Sequence, residues 1–115
     1  MVNPVVNELG SKLWRDANGN LHRADGPALE HANGDRSWWQ YGLRHRTGGP
    51  AVEFATGDKW WYQHGKIHRA DGPAIEYANG RSTWYSNDNC LSFEKWLNKV
   101  DLSGEDKVMM KLKYG

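Results

Sequence analysis

The chain contains a single cysteine, Cys90, and so cannot close an internal disulfide. That excludes the disulfide-built secreted scaffolds and makes a reducing cytoplasm the expected setting. Excess charge of either sign is also missing, with 15 Lys and Arg against 14 Asp and Glu and a formal net charge of +1. The balance argues against a protein that coats DNA and against an acidic mimic of nucleic acid, leaving only local patches. No long apolar run occurs, and no basic segment followed by an apolar stretch opens the chain, so neither a membrane span nor a signal peptide is expected. HExxH, paired cysteines and a glycine-rich phosphate loop are all absent, so no motif supports catalysis and no cofactor is implied. Phenylalanine is scarce too: two, against seven Trp and five Tyr. Aromatics with a polar handle can stay half wet, which suits a thin sheet or a binding surface. At 115 residues the chain is one domain or less, enough for a modest core.

What the chain does have is a repeat. HRADGPALE from His22 returns as HRTGGPAVE from His45 and as HRADGPAIE from His68, a period of 23 residues. Gly34, Gly57 and Gly80 share a phase, as do Gly19, Gly42 and Gly65, and Trp38, Trp61 and Trp84. Trp14 sits one position early, which predicts a one-residue slip or bulge in the first copy. The fourth copy decays, with Asp88 where glycine belongs and Leu91 where histidine belongs, as terminal repeats commonly do. Residues 1–91 therefore read as a repeat region, with copies centred on 22–42, 45–65 and 68–88, and residues 92–115 as a helical cap or interaction segment.

Each copy reads as two short strands between turn signals, an all-β signature. The first strand is PALEHA from Pro27, PAVEFA from Pro50 and PAIEYA from Pro73; the second is SWWQY from Ser37, WWYQH from Trp60 and TWYS from Thr83. Asn33-Gly34 and Asn79-Gly80 predict tight primed turns with positive φ at both central residues, with Thr56-Gly57 a weaker version. The expected fold is mainly β, an antiparallel meander of about seven strands. Alternation places Leu29, His31, Val52, Phe54, Ile75 and Tyr77 on the better candidate core face, opposite Ala28, Glu30, Ala32 and their equivalents. After Ser92 the period changes. Phe93, Trp96, Leu97 and Val100 form a helical apolar stripe with Ser92 as N-cap, and a second helix after Ser103 presents Val108, Met109 and Leu112. These helices are expected to close the last hairpin or lie across the sheet, with a dimer contact or target-binding element as the alternative.

The repeated residues His22, Arg23 and Glu30, His45, Arg46 and Glu53, and His68, Arg69 and Glu76 invite a catalytic or metal reading. Two arguments oppose it. An active site needs different residues in different roles, and neighbouring copies lie on the order of 10 Å apart, too far for ligands to converge on one ion. A repeat lock is the plainer reading, with arginine paired in bidentate fashion to a glutamate and histidine bonding across the turn; phosphate contact is the alternative. Adjacent tryptophans on a strand face opposite sides, so the rings are too many for one thin core. The candidate binding surface is Trp38, Trp39, Trp60, Trp61, Tyr62, Trp84, Tyr85, Phe93 and Trp96.

The form WYxxGxxHRxDGPAxExxxG resembles MORN-type repeats, with Arg23, Arg46 and Arg69 where those repeats carry glycine after histidine. It is more similar to a MORN-like repeat in small proteins of tailed bacteriophages and some bacteria, over about residues 12–91. The resemblance implies stacked β-hairpins in a single-layer sheet. As function it implies a non-enzymatic, phage-encoded, cytoplasmic protein that binds and inhibits a host protein or complex, such as a component of bacterial anti-phage defence. Two alternatives stand beside it. One is sequestration of a small nucleotide or single-stranded nucleic acid by exposed Trp and Tyr with Arg23, Arg46, Arg69 or Arg81; the other is an antitoxin-like structural partner. No membrane partner is expected, and the C-terminal segment is a candidate homodimer contact.

Overall fold

The computed structural model describes residues 4–115. Its strands are β1 (Val5–Val6), β2 (Lys12–Leu13), β3 (Leu29–Glu30), β4 (Arg36–Ser37), β5 (Trp39–Gln40), β6 (Leu43–Arg44), β7 (Val52–Glu53), β8 (Lys59–Trp60), β9 (Tyr62–Gln63), β10 (Lys66–Ile67), β11 (Ile75–Glu76), β12 (Ser82–Ser86) and β13 (Asn89–Leu91). Two helices follow, α1 (Phe93–Lys99) and α2 (Gly104–Tyr114). The protein is mainly β, and its paired strands are antiparallel. Nine strands form one sheet in the order β1-β2-β3-β4-β7-β8-β11-β12-β13, and the hairpins β5–β6 and β9–β10 stand apart from it. The molecule measures 47 × 29 × 21 Å. No helix among the described residues is long and apolar enough to cross a membrane.

The expected meander of about seven strands is thus corrected, and the cause lies at the tryptophans. The Trp38 N–H donates to the Ala51 carbonyl (2.7 Å), while its own carbonyl accepts from the His45 N–H (3.1 Å). One residue therefore pairs with two different neighbours, and the predicted strand SWWQY splits there into β4 and β5. Trp61 does the same between Ala74 and His68, and Trp14 between Ala28 and His22. Trp14 is thereby the structural equivalent of Trp38, and its one-residue offset lies in the hairpin that follows it. That hairpin closes through Asp16 and Asn20 around Gly19 and is one residue longer than the later ones.

The turn chemistry is exchanged relative to expectation. At Asn33-Gly34 only the glycine has positive φ (99°), and the turn runs over three residues between His31 and Asp35. Asn33 Oδ1 accepts from the Asp35 N–H (3.0 Å), fastening the turn without the asparagine becoming left-handed. Asn79 and Gly80 repeat this arrangement. The two-residue primed turns lie elsewhere, at Tyr41-Gly42 (φ 49° and 84°), His64-Gly65 (50° and 81°) and Asn87-Asp88 (46° and 71°).

The expected core face is also corrected. Val52 and Ile75 are buried, but His31 and Phe54 are exposed, and Ala28, Ala51 and Ala74, on the other face, are each 0% exposed. Both faces near the strand starts are covered, one of them closely enough that only a methyl fits. The largest aromatic cluster lies at the C-terminal end. Trp84 packs against Trp96 (ring centroids 4.5 Å apart), Phe93 (4.8 Å) and Tyr114 (4.9 Å), with Leu97 and Val100 buried beside them. Ser92 caps α1 by accepting from the Lys95 N–H, and Ser103 caps α2 by accepting from the Asp106 N–H. α2 turns Met110 and Tyr114 to this cluster, leaving Val108, Met109 and Leu112 exposed.

Candidate functional site

The three HRxxGP segments form loops along one edge of the molecule, and each is locked by the same contacts. In the first loop the Arg23 guanidinium lies over the Trp14 ring (4.0 Å), in the second Arg46 over Trp38 (3.8 Å), in the third Arg69 over Trp61 (3.9 Å). Nη1 of each arginine donates to the carbonyl of the loop proline: Pro27 (3.2 Å), Pro50 (3.0 Å) and Pro73 (3.0 Å). A Cβ on Gly26, Gly49 or Gly72 would stand 2.9, 2.9 or 2.7 Å from the guanidinium carbon. A methyl at any of them would push the guanidinium off its tryptophan, so the glycines permit the close approach of the stacked cation.

Successive copies are joined through the same residues. His22 Nδ1 accepts from the Tyr41 N–H (3.1 Å), His45 Nδ1 from His64 (3.0 Å) and His68 Nδ1 from Asn87 (3.1 Å). Each histidine thus ties down the first, left-handed residue of the next primed turn, a conformation that costs a side-chain-bearing residue about 1–2 kcal/mol. Nδ1 must be unprotonated to accept. Consistently, His45 and His68 are held below the ordinary imidazole value of 6.5, both by burial and His45 also by the nearby His64. The arginine carbonyls complete the joint: Arg23 O accepts from Gln40 Nε2 (3.0 Å) and Arg46 O from Gln63 Nε2 (2.7 Å). At the third loop no glutamine follows, and the indole N–H of Trp96 reaches in from α1 to the Arg69 carbonyl (3.0 Å).

The glutamates do not make the expected bidentate pairs. Arg23 Nη1 is 3.9 Å from Glu30, Arg46 Nη1 is 3.9 Å from Glu53, and Arg69 Nη1 is 3.1 Å from Glu76. Each fork is divided among a proline carbonyl, a tryptophan face and single carboxylate oxygens. Glu53 instead bonds Arg36 across the strands at 2.8 Å.

Between the first and second loops lies a groove of about 830 Å³, lined by Arg23, Asp25, Trp38, Gln40, Tyr41, Leu43, His45, Arg46 and His64 among others. A smaller groove of about 460 Å³ separates the second and third loops, with Arg46, Trp61, Gln63, His68 and Arg69 in its walls. On the rim of the larger one Tyr41 is 69% and Leu43 50% exposed.

The aromatic candidates are dispersed rather than gathered into one surface. Trp38 and Trp61 are half-buried in the groove walls, one face of each covered by arginine. Trp39 is half-buried and donates to Ser37 Oγ (2.7 Å). Trp60 borders a separate recess of about 280 Å³ with Leu29, Val52 and Phe54. Tyr62, Trp84 and Trp96 are buried: Tyr62 packs on Ala51 and Val52 and also lines that recess, and the two tryptophans pack together where α1 meets the sheet. Phe93 is half-buried against Trp84, and Tyr85 is half-buried with its phenol pushed above 10.0 by burial and by Cys90. Arg81 is exposed away from the loop edge, beside Tyr77 and Thr83.

Sequence reasoning missed Gln40, Gln63, Tyr41, Leu43 and His64. The phase of Gln40 and Gln63 could have found the first pair, but their partners lie in the preceding copy. No group of three or more His, Cys, Asp or Glu side chains among the described residues could hold a metal ion. The chain matches no protein-family model, no curated protein and no solved structure.

Proposed function

We propose that this chain is a non-enzymatic binding module of MORN-like hairpin repeats that engages a partner protein along the edge of HRxxGP loops. The observation that carries this reading is the groove of about 830 Å³ whose rim exposes Tyr41 and Leu43 beside Arg46. Tyrosine and arginine are the side chains that dominate protein-binding hot spots, and here they flank an apolar residue on a rigid frame. In its most concrete form the module is a phage-encoded inhibitor that occupies a component of bacterial defence, a step supported by the repeat resemblance. The nucleotide alternative is weakened by geometry, because the guanidinium groups already cover one face of Trp14, Trp38 and Trp61.

The test is affinity capture from bacterial lysate with the wild type and with Leu43→Glu, whose site is exposed enough to spare folding. A single polypeptide retained in stoichiometric amount by the wild type, and retained at least about tenfold less by the variant, is the expected result. Equal retention by both proteins, or a copurifying nucleotide with no polypeptide, would overturn the reading.

A further inference from the structure

We infer that the Arg46 guanidinium is a receptor for a carboxylate supplied by the partner, an aspartate or glutamate side chain that completes the middle loop from outside. This rests on reading the groove as a protein-binding surface. The argument begins with a difference among the three loops. In the first, Arg23 Nε donates to Asp25 Oδ1 at 3.1 Å; in the third, Arg69 Nε donates to Asp71 Oδ1 at 2.9 Å. The middle loop has Gly48 in place of that aspartate, and Arg46 Nε makes no hydrogen bond among the described residues.

The second carboxylate is withdrawn as well. Glu76 lies 3.1 Å from Arg69 Nη1, but Glu53 stays 3.9 Å from Arg46 because Arg36 holds it at 2.8 Å. Arg46 is consequently the least compensated of the three cations. It is also the most exposed, its side chain 30% accessible against 26% for Arg23 and 18% for Arg69.

The cation is nonetheless fixed in place. Trp38 lies beneath it and the Pro50 carbonyl takes Nη1. A guanidinium held in this way loses little freedom on binding, so most of its charge-assisted bond energy is available to a ligand. Space for the ligand exists too, since Arg46 lines the groove of about 830 Å³. The flanking loops show which chemistry fits, since a carboxylate occupies the same arginine edge in both. Phosphate suits the site less well, because Arg46 would meet a dianion alone: Arg23 across the groove is already held by Asp25.

The experiment follows the three arginine Nε–H signals by nuclear magnetic resonance during titration with N-acetyl-aspartate amide, whose only charge is its side-chain carboxylate. Arg46 should shift in a saturable way, Arg23 and Arg69 should stay still, and Gly48→Asp, in which residue 48 must give up the positive φ of the glycine (84°) for the conformation of Asp25 and Asp71, should abolish the response by filling the site internally. Gly48→Asn, which tolerates the same left-handed backbone without the charge, should leave the response intact. Equal movement of all three arginines, no movement at all, or a response to inorganic phosphate without one to the carboxylate would overturn the inference. The two readings fail separately. Capture that depends on Leu43 while Arg46 ignores the probe removes the carboxylate site alone, and a responding Arg46 without any captured polypeptide removes the partner-protein reading alone.

Discussion

The middle HRxxGP loop and its two neighbours share one frame and differ in how they close. All three stack arginine on tryptophan, bond it to a proline carbonyl and hold the next turn through histidine. Only the outer two then satisfy the arginine with an aspartate of their own. Residues that recur at every copy therefore report what the scaffold needs, and a residue that departs from the series without breaking the frame is better evidence of use.

The comparison can be broken most forcefully at the third loop, whose arginine carbonyl depends on α1 rather than on a following hairpin. Trp96→Ala should cost about 3–5 kcal/mol, because it empties a fully buried site and strips the partner from the Arg69 carbonyl. Gln63→Ala, which removes the corresponding donor from the middle loop, should cost only about 1 kcal/mol. Denaturant unfolding measures both, and equal losses would show that the third loop does not depend on α1 as described.

Next in size is the requirement the loops have in common. Gly26→Ala, Gly49→Ala and Gly72→Ala should each lower stability by about 1–3 kcal/mol, since each new methyl meets a pinned guanidinium. Thermal melting checks this. A harmless Gly49→Ala beside two damaging neighbours would mean that the middle arginine is looser than its geometry shows.

Acid gives the smallest effect and should loosen the second and third loops together. His45 and His68 have folded values below 6.5, so the unfolded chain binds more protons once the pH falls under that value. Their contribution is complete above pH 6.5 and is lost as the pH drops through the folded values. His45→Asn with His68→Asn keeps an acceptor near Nδ1 but cannot titrate, so the doubly substituted protein should lose less melting temperature between about pH 7 and pH 5. Parallel curves for the wild type and the substituted protein would contradict the assignment.

Much of the scaffold was legible in the sequence, and the rest was hidden for physical reasons. The mainly β character and the caps at Ser92 and Ser103 rest on local signals, and the antiparallel hairpins and the two capped helices are present. The primed turn at Tyr41-Gly42 was not legible, because tyrosine is a poor left-handed residue until His22, in the preceding copy, captures its N–H. The deep alanines were missed because alternation says which residues share a face but not how closely that face is covered. As for the candidate site, HRTGGP could be read beside HRADGP, yet the missing aspartate acquires meaning only once Asp25 and Asp71 are seen on their arginines.

The most direct test measures how strongly the proposed partner polypeptide is retained by two single substitutions that exchange the loop types. Gly48→Asp closes the middle loop at the cost of the glycine's positive φ (84°) and should weaken binding about tenfold or more, the worth of a charge-assisted bond. Asp71→Gly opens the end loop and should leave binding to the larger groove unchanged. Full affinity in Gly48→Asp, or a loss in Asp71→Gly as large as that in Gly48→Asp, would contradict the account.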